Sequence, residues 1–247
     1  MTRRVFLVWA LIVALLGGCA TGNAPVEDRF RAIPEFYRVQ RGDNLIRIAF
    51  QYDLDYRDIA RWNSLASPDL ILAGQELRLR PPDGTAGETV AARVATPPPP
   101  PTAPTPAPSA ATITAAAPGA TRAASGLSWG WPTEGAVVRT YAPNIPGRKG
   151  IQIAGDLGQT VRATSPGQVV YSGSGLPGYG RLIIVKHSDT FLSAYGYLGE
   201  IFVKEGDRVA SGQDIARLGA SNDNRPVLHF EIRQNGKPVN PLQFLPS

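Results

Sequence analysis

The sequence predicts two folded modules of different class, a small α+β module of βααβ order and a larger, mainly β domain that follows it. Apolar residues recur at helical spacing only near residues 45–63, whereas β-branched and aromatic runs divided by short turns fill the chain from residue 127 onward. The 23 prolines and 26 glycines of the 247 residues exceed what one compact core uses, and the prolines concentrate between the two modules. We therefore expect a disordered linker there.

The first 18 residues are predicted to be a signal peptide. Arg3 and Arg4 form a positive start, and residues 5–16 are an uncharged apolar run of 12 residues. Crossing a bilayer takes roughly 20 apolar residues, so the run is too short for a transmembrane helix. It ends in Leu16-Gly17-Gly18-Cys19, with the single cysteine of the chain.

This ending resembles the lipobox of bacterial lipoproteins, in which cleavage precedes a cysteine that carries the lipid. The resemblance implies palmitate-type acylation of Cys19, a mature chain that starts there, and a tether over residues 19–36. Ala20, where an aspartate would favour the inner membrane, implies an outer-membrane anchor with the protein facing the periplasm. An ordinary signal peptide with an incidental cysteine remains the alternative. The net charge of +5 is too weak to indicate nucleic-acid binding.

Residues 37–81 are predicted to form the small module. An alternating strand from Tyr37 is followed by a Gly42-Asp43 turn, two short helices, and a closing strand over residues 77–79. About 45 residues make a very small core, so the unit has to be compact.

The order Y-x-V, G-D-x-L, I-A, a central Asn63 and L-x-A-G-Q-x-L resembles the LysM domain, which binds N-acetylglucosamine-containing glycans such as peptidoglycan. Asn44 departs from the commoner threonine. The resemblance implies a shallow groove, although Leu45 is also a core candidate and Asn63 a capping residue. The predicted rims comprise Gly42, Asp43, Asn44 and Leu45 on one side and Leu70, Ile71 and Leu72 on the other.

Residues 82–126 are predicted to be the linker. Eight of the twelve residues from 97 to 108 are proline, and alanine and threonine are the other four. Such a composition cannot bury a core and favours extended polyproline II, so we expect it to separate the two modules. A proline-rich ligand for a partner domain is the alternative.

Residues 127–247 are predicted to be nearly all β. Asn235-Gly236 between two apolar runs is a strong hairpin signal. The other predicted strands cover residues 136–140, 168–171, 182–186 and 191–197.

This part resembles the LytM or lysostaphin-like zinc endopeptidases (a duplicated hybrid motif) through R-K-G-I-Q-I-A-G, G-Y-G-R-L-I-I-V-K-H, Y-G-Y-L and V-L-H-F-E-I-R. Active members carry H-x-G-x-D, Y-x-H and H-x-H. Here Arg148 stands at the first ligand and Gln152 at the aspartate, while Tyr197 and Val227 replace further histidines and only His229 is kept. Arginine and neutral glutamine are not zinc ligands, so we expect no metal, no cofactor and no catalysis.

The combination of lipobox, LysM, proline-rich linker and degenerate LytM domain resembles the NlpD and EnvC group of amidase activators. That resemblance implies binding to a periplasmic N-acetylmuramoyl-L-alanine amidase, whose inhibitory helix is displaced, for septal cell-wall splitting in cell division. Simple core packing of Tyr197 and His229 is the structural alternative. The implied amidase-binding cleft consists of Arg148, Gln152, Tyr179, Tyr197, Val227 and His229.

Three other functions are alternatives. A zinc metalloendopeptidase is disfavoured by the ligand count, and His187, the other histidine, falls at a position that is not a ligand in that family. A lipoyl or biotinyl carrier is suggested by E-G-D-R-V-A-S-G-Q-D-I-A-R-L-G, but Gly212-Gln213 stands where an exposed lysine is needed. A purely structural tether from outer membrane to wall leaves the cleft unused.

Overall fold

The computed structural model describes residues 33–82 except 69, and residues 126–247 except 146. The predicted signal peptide, Cys19 and nearly all of the predicted linker lie outside the described residues. Within the described ranges, no helix is long and apolar enough to cross a membrane.

The small module has the predicted βααβ order. Strand β1 (Phe36–Arg38) and strand β2 (Glu76–Arg78) pair antiparallel, and helices α1 (Leu45–Tyr52) and α2 (Tyr56–Trp62) lie between them in sequence. Its core is formed by apolar residues from both helices and β2, as the spacing predicts.

Short polar side chains set the helix boundaries. The Asn44 side chain accepts a hydrogen bond from the Arg47 amide and caps α1, and the Asp55 side chain accepts from the Arg57 amide and caps α2. Asp53, with φ of 55°, ends α1. These caps allow two helices of only eight and seven residues to form side by side.

The larger domain is a ten-stranded antiparallel sheet with the central order β3-β4-β11-β8-β7-β6-β9. Strand β10 adds to β8 and carries β5, and β12 adds to β11. A short 3-10 helix (Pro241–Gln243) follows the last strand. The strands are β3 (Val137–Arg139), β4 (Ile151–Ala154), β5 (Thr160–Arg162), β6 (Gly167–Gly173), β7 (Arg181–Lys186), β8 (Phe191–Ile201), β9 (Arg208–Val209), β10 (Asp214–Leu218), β11 (Val227–Gln234) and β12 (Lys237–Val239).

The predicted hairpin between β11 and β12 is confirmed. Gln234 pairs with Lys237, and the two residues between them have positive φ angles, 51° at Asn235 and 74° at Gly236. Positive φ at both central positions is the geometry that the Asn-Gly pair favours.

The two faces of the central sheet are both buried. Side chains alternate between faces along a strand, so Leu228, Phe230 and Ile232 of β11 enter one apolar core, together with Ile183 and Val185 of β7. The opposite face carries a separate apolar strip. That strip consists of Leu182, Ile184, Leu192 and Ala194.

The expected separation of the two modules is wrong. The strip on the second sheet face belongs to the same buried cluster as Leu45, Phe50 and Leu54 of the small module. Apolar residues on α1 therefore serve two surfaces, the core of the small module and the sheet on which it lies. A linker that allows extension does not prevent its ends from docking, because closing a longer loop costs little extra entropy.

Candidate functional site

The predicted cleft residues lie on the second sheet face. In register, His229 of β11 stands beside Gln152 of β4 on one side and beside Gly196 of β8 on the other. Ile151 and Ile153 point into the core, which places Gln152 on the same face as His229. We call this side of the sheet, with Gln152 and His229, the cleft face.

Two tyrosines flank the histidine. The ring centroids of Tyr179 and Tyr197 lie 5.5 and 5.9 Å from that of His229, both at steep angles. The Tyr197 amide donates to the Tyr179 carbonyl at 2.8 Å, so the loop and strand that carry the two rings are joined. Tyr197 adopts a φ of 61°, an uncommon conformation for an aromatic residue. Tyr179, Tyr197, Gln152 and His229 therefore form one cluster.

Gln152 has an unsatisfied oxygen in this cluster. Its side chain is buried, and its Oε1 has no hydrogen-bond partner. A buried polar atom without a partner costs about 1–3 kcal/mol, so a donor brought to this point from outside would be favoured.

His229 is held in a hydrogen-bond network with charged residues. His229 Nε2 lies 2.9 Å from Glu231 Oε1, Tyr179 Oη donates to the same oxygen at 3.0 Å, and Arg233 Nε donates to Oε2 at 2.9 Å. Burial alone would raise the pKa of Glu231, but the Arg233 charge and the His229 hydrogen bond hold it far below its usual range. Burial, and then the Glu231 charge, raise the pKa of Tyr179 well above its usual value, so its hydroxyl stays protonated.

The remaining predicted cleft residues are less central. Val227 is buried on β11 opposite Ala154, two residues before His229. Arg148 lies half-buried in the turn before β4, where its backbone bonds with Ala142 and Ile145. The structure thus brings together four of the six predicted cleft residues and places these two at the border.

The second histidine lies away from the cleft. His187 follows the end of β7, and its ring nitrogens bond the Pro166 carbonyl at 2.8 Å and the Ser193 hydroxyl at 2.7 Å. Burial lowers its pKa to about 4, although the bond to Pro166 opposes this shift. His187 is therefore a neutral structural residue at pH 7.

The cleft does not fit the zinc ion that the resemblance to peptidases implies. Among the described residues, no three His, Cys, Asp or Glu side chains come together as a metal-binding group. A catalytic zinc takes three protein ligands, whereas His229 is bonded to a carboxylate that Arg233 already neutralises.

The predicted glycan rims differ in exposure. Gly42 is exposed, and the Asp43 side chain is fully buried, accepting bonds from Tyr37 and the Gln40 amide. Leu45 is fully buried in the core, so that only its backbone could meet a ligand. On the other rim Leu70 and Leu72 are strongly exposed, at 72% and 76%, while Ile71 is half-buried.

Sequence reasoning missed Glu231 and Arg233. The alternation His229-Phe230-Glu231-Ile232-Arg233 holds the signal, since three polar residues at period two have to share one sheet face. Charged residues on a strand are mostly exposed, so this pair does not stand out in the sequence. Arg233 is covered by Phe50 of the small module, and the sequence pattern does not predict that contact.

Comparison with known proteins agrees with the two-module architecture. The model of the LysM domain matches residues 37–80, and that of peptidase family M23 matches residues 146–241. A lipoprotein NlpD/LppB homologue from Pseudomonas aeruginosa is 42% identical over 97% of this chain and 91% of its own length. The chain belongs to the NlpD/LppB lipoprotein family.

Other members of the NlpD/LppB family are similar over much of the chain. The murein hydrolase activator NlpD of Salmonella typhimurium is 35% identical over 85% of this chain and 68% of its own length. Among solved structures, the catalytic domain of lysostaphin from Staphylococcus simulans is 27% identical, with a TM-score of 0.40, over 45% of this chain and 91% of that one.

Proposed function

We propose that this chain is a non-catalytic, peptidoglycan-binding lipoprotein that activates a periplasmic N-acetylmuramoyl-L-alanine amidase during septal cell-wall splitting. Its NlpD relatives are named murein hydrolase activators. In this proposal Cys19 carries the outer-membrane anchor, residues 37–81 bind glycan, and residues 127–247 bind the amidase.

The main support for this proposal is the unpaired polar atom in the cleft and the aromatic rings near it. Gln152 Oε1 is a buried acceptor without a donor, and its β4 position is in register with His229, whose ring contacts Tyr179 and Tyr197. Aromatic rings beside a buried, unpaired polar atom suit a protein partner, since tyrosine and arginine are frequent anchors of interfaces. Arg148 lies at the border, where a partner would meet it.

The test measures dye release from labelled peptidoglycan by a purified amidase, with and without the mature chain carrying Cys19→Ser. We expect no release by the chain alone and a large increase when both are present. Arg148→Ala should weaken this activation about tenfold, which corresponds to the loss of one interface anchor of about 1.4 kcal/mol.

The matched control is Arg162→Ala. Arg162 lies on β5, which pairs with β10 and not with the cleft strands, and its side chain makes one surface ion pair with Asp214. This variant should activate like the unmodified chain. Amidase activity that does not respond to the chain would leave a structural tether as the better account, and release by the chain alone would favour a peptidase.

A further inference from the structure

The small module lies on the cleft face, directly beside the cleft. Its residues Phe50 and Leu54 share a buried cluster with Leu182, Ile184 and Leu192 of the sheet. The same strands that carry this strip, β7 and β8, lead into the cleft: Ala194 of the strip and Gly196 beside His229 are two residues apart on β8. The apolar strip and the cleft therefore form one continuous surface, and the small module covers the strip.

Charged contacts fasten the module there. The fully buried Arg233 donates from Nη1 to the Phe50 carbonyl at 2.8 Å, and its guanidinium lies 3.5 Å from the Phe50 ring centroid. Asp53, at the end of α1, pairs with Lys149 at 2.6 Å and with Arg233 at 3.0 Å, and its carbonyl accepts from Lys237 at 2.7 Å. A desolvated cation over an aromatic ring contributes about 2 kcal/mol, so this is a specific interface rather than a loose approach.

The contacts that hold the small module on the sheet also involve the cleft residues. The Tyr179 ring lies 5.5 Å from the Phe50 ring on one side and 5.5 Å from the His229 ring on the other. Arg233 contacts the small module and Glu231, which in turn holds His229. A partner that binds in the cleft and extends along β8 has to displace Phe50.

The docked position also uses one glycan rim. The Asn44 side chain donates from Nδ2 to the Val170 carbonyl at 2.7 Å, and Arg47 donates to the Gly175 carbonyl at 3.3 Å. The Asn44 amide oxygen meanwhile accepts from the Arg47 backbone. Donors that bond the Val170 and Gly175 carbonyls of the larger domain are not available to a sugar, so docking and glycan binding compete for this rim.

We propose that the apolar strip of the cleft face is an interaction surface shared by two occupants, the LysM module in the free chain and the amidase in the active complex. Glycan binding at the Asn44 rim draws the module off the strip and frees it for the amidase. This rests on the proposed function, and it makes glycan and amidase each promote binding of the other, since linked equilibria are reciprocal.

Gly236 offers a substitution that acts on this interface. A Cβ at this turn residue would lie 2.0 Å from the Leu54 carbonyl oxygen and 2.6 Å from the Asp55 nitrogen, both backbone atoms of the small module. Gly236→Ala should therefore displace the module. Gly212→Ala is the matched control, because Gly212 has nearly the same φ, +76° against +74°, and nothing within 4 Å of its Cβ. Both variants carry the same backbone strain.

A second pair of variants covers the case in which Gly236→Ala fails to fold, which its thermal melt would show. Lys149→Glu places a carboxylate against Asp53 at the interface, whereas Lys204→Glu makes the same change at an exposed residue between β8 and β9. The first should undock the module and the second should not.

Two readouts are made on the mature chain with Cys19→Ser. The first is the affinity for the N-acetylglucosamine tetramer, by calorimetry without amidase. The second is the chain concentration that gives half-maximal amidase activation in dye release. We expect Gly236→Ala and Lys149→Glu to tighten the first and lower the second by about tenfold, the gain expected when a docked state favoured about ten to one is removed. Gly212→Ala and Lys204→Glu should match the unmodified chain.

Equal values for all five chains in either readout would overturn the proposal of a shared surface. If every chain activates the amidase equally, the proposed function stands and the competition fails. If no chain activates any amidase while Gly236→Ala still gains glycan affinity, the proposed function fails. The competition between docking and glycan binding then stands, but the amidase is not the second occupant of the strip.

Discussion

Glu231 holds three side chains on the cleft face, those of His229, Tyr179 and Arg233. Its lowered pKa means that it contributes stability above the ordinary carboxylate pKa of 4.5, and that this contribution is lost as the pH falls through the lowered value. A buried charge without its partner is strongly destabilising, by about 3–5 kcal/mol. Glu231 and Arg233 therefore have to be kept together, whatever the cleft binds.

His187 adds a pH dependence in a milder range. Its folded pKa of about 4 lies below the ordinary value of 6.5, so the unfolded chain takes up a proton first as the pH falls. The stability it contributes is complete above pH 6.5 and is lost as the pH falls toward 4. Between pH 7 and pH 4 this loss should be about 3 kcal/mol, at about 1.4 kcal/mol per pKa unit.

The check is the difference between the unmodified chain and His187→Gln in urea unfolding at the two pH values. Glutamine keeps a hydrogen-bonding side chain but does not titrate, so that losses from carboxylates cancel in the comparison. His187→Gln should lose about 3 kcal/mol less than the unmodified chain. Parallel pH profiles for the two chains would show that His187 is not held neutral by burial.

Single residues were predictable from the sequence where their chemistry is local. The capping role of Asn63 follows from its residue type, and the cluster of Gln152, Tyr179, Tyr197 and His229 follows from the resemblance to the peptidase frame, because strand register fixes neighbours once the strands are known. Arg233 was not predictable as a buried group, because its surroundings come from residues about 180 positions earlier in the chain.

At the scale of elements, β11 organises the domain. It pairs with β4, β8 and β12, its apolar side chains enter the core, and its polar side chains form the cleft face. Long alternating strands of this kind are visible in a sequence. Strands β5 and β9, of three and two residues, are too short to show a period and were not predicted.

The entry into β4 should tolerate no side chain on Gly150. A Cβ there would lie 2.1 Å from the Phe230 carbonyl oxygen, a backbone atom of β11, so the strands would have to move apart. Gly150→Ala should lower the free energy of unfolding by about 3 kcal/mol, as expected for overpacking against fixed atoms. Urea unfolding measures it.

Gly130→Ala is the control, because its Cβ would meet only the Thr164 carbonyl oxygen at 3.8 Å and neither glycine has a positive φ. Its stability should stay within about 0.5 kcal/mol of the unmodified chain. A Gly150→Ala chain as stable as the unmodified chain would show that β4 and β11 can move apart at little cost in free energy.

At the scale of the whole molecule, the order of modules was predictable and their contact was not. Composition marks the boundaries of a folded unit, but Phe50 and Leu54 are equally well explained by the core of the small module alone. The strip on the sheet is also ambiguous in sequence, since both faces of β7 carry branched apolar residues. A sheet buried on both faces has a nearly continuous apolar sequence and does not reveal what covers it.

The central claim is that the larger domain acts as a binding surface and needs no metal of its own. The most direct measurement treats the purified mature chain with a chelator, exchanges it into chelator-free buffer, and compares it with the untreated chain as an activator of the amidase in dye release. The account predicts identical activation by the two samples, with no release by either chain alone. Loss of activation on stripping, with recovery on addition of one equivalent of zinc to the chain, would contradict it.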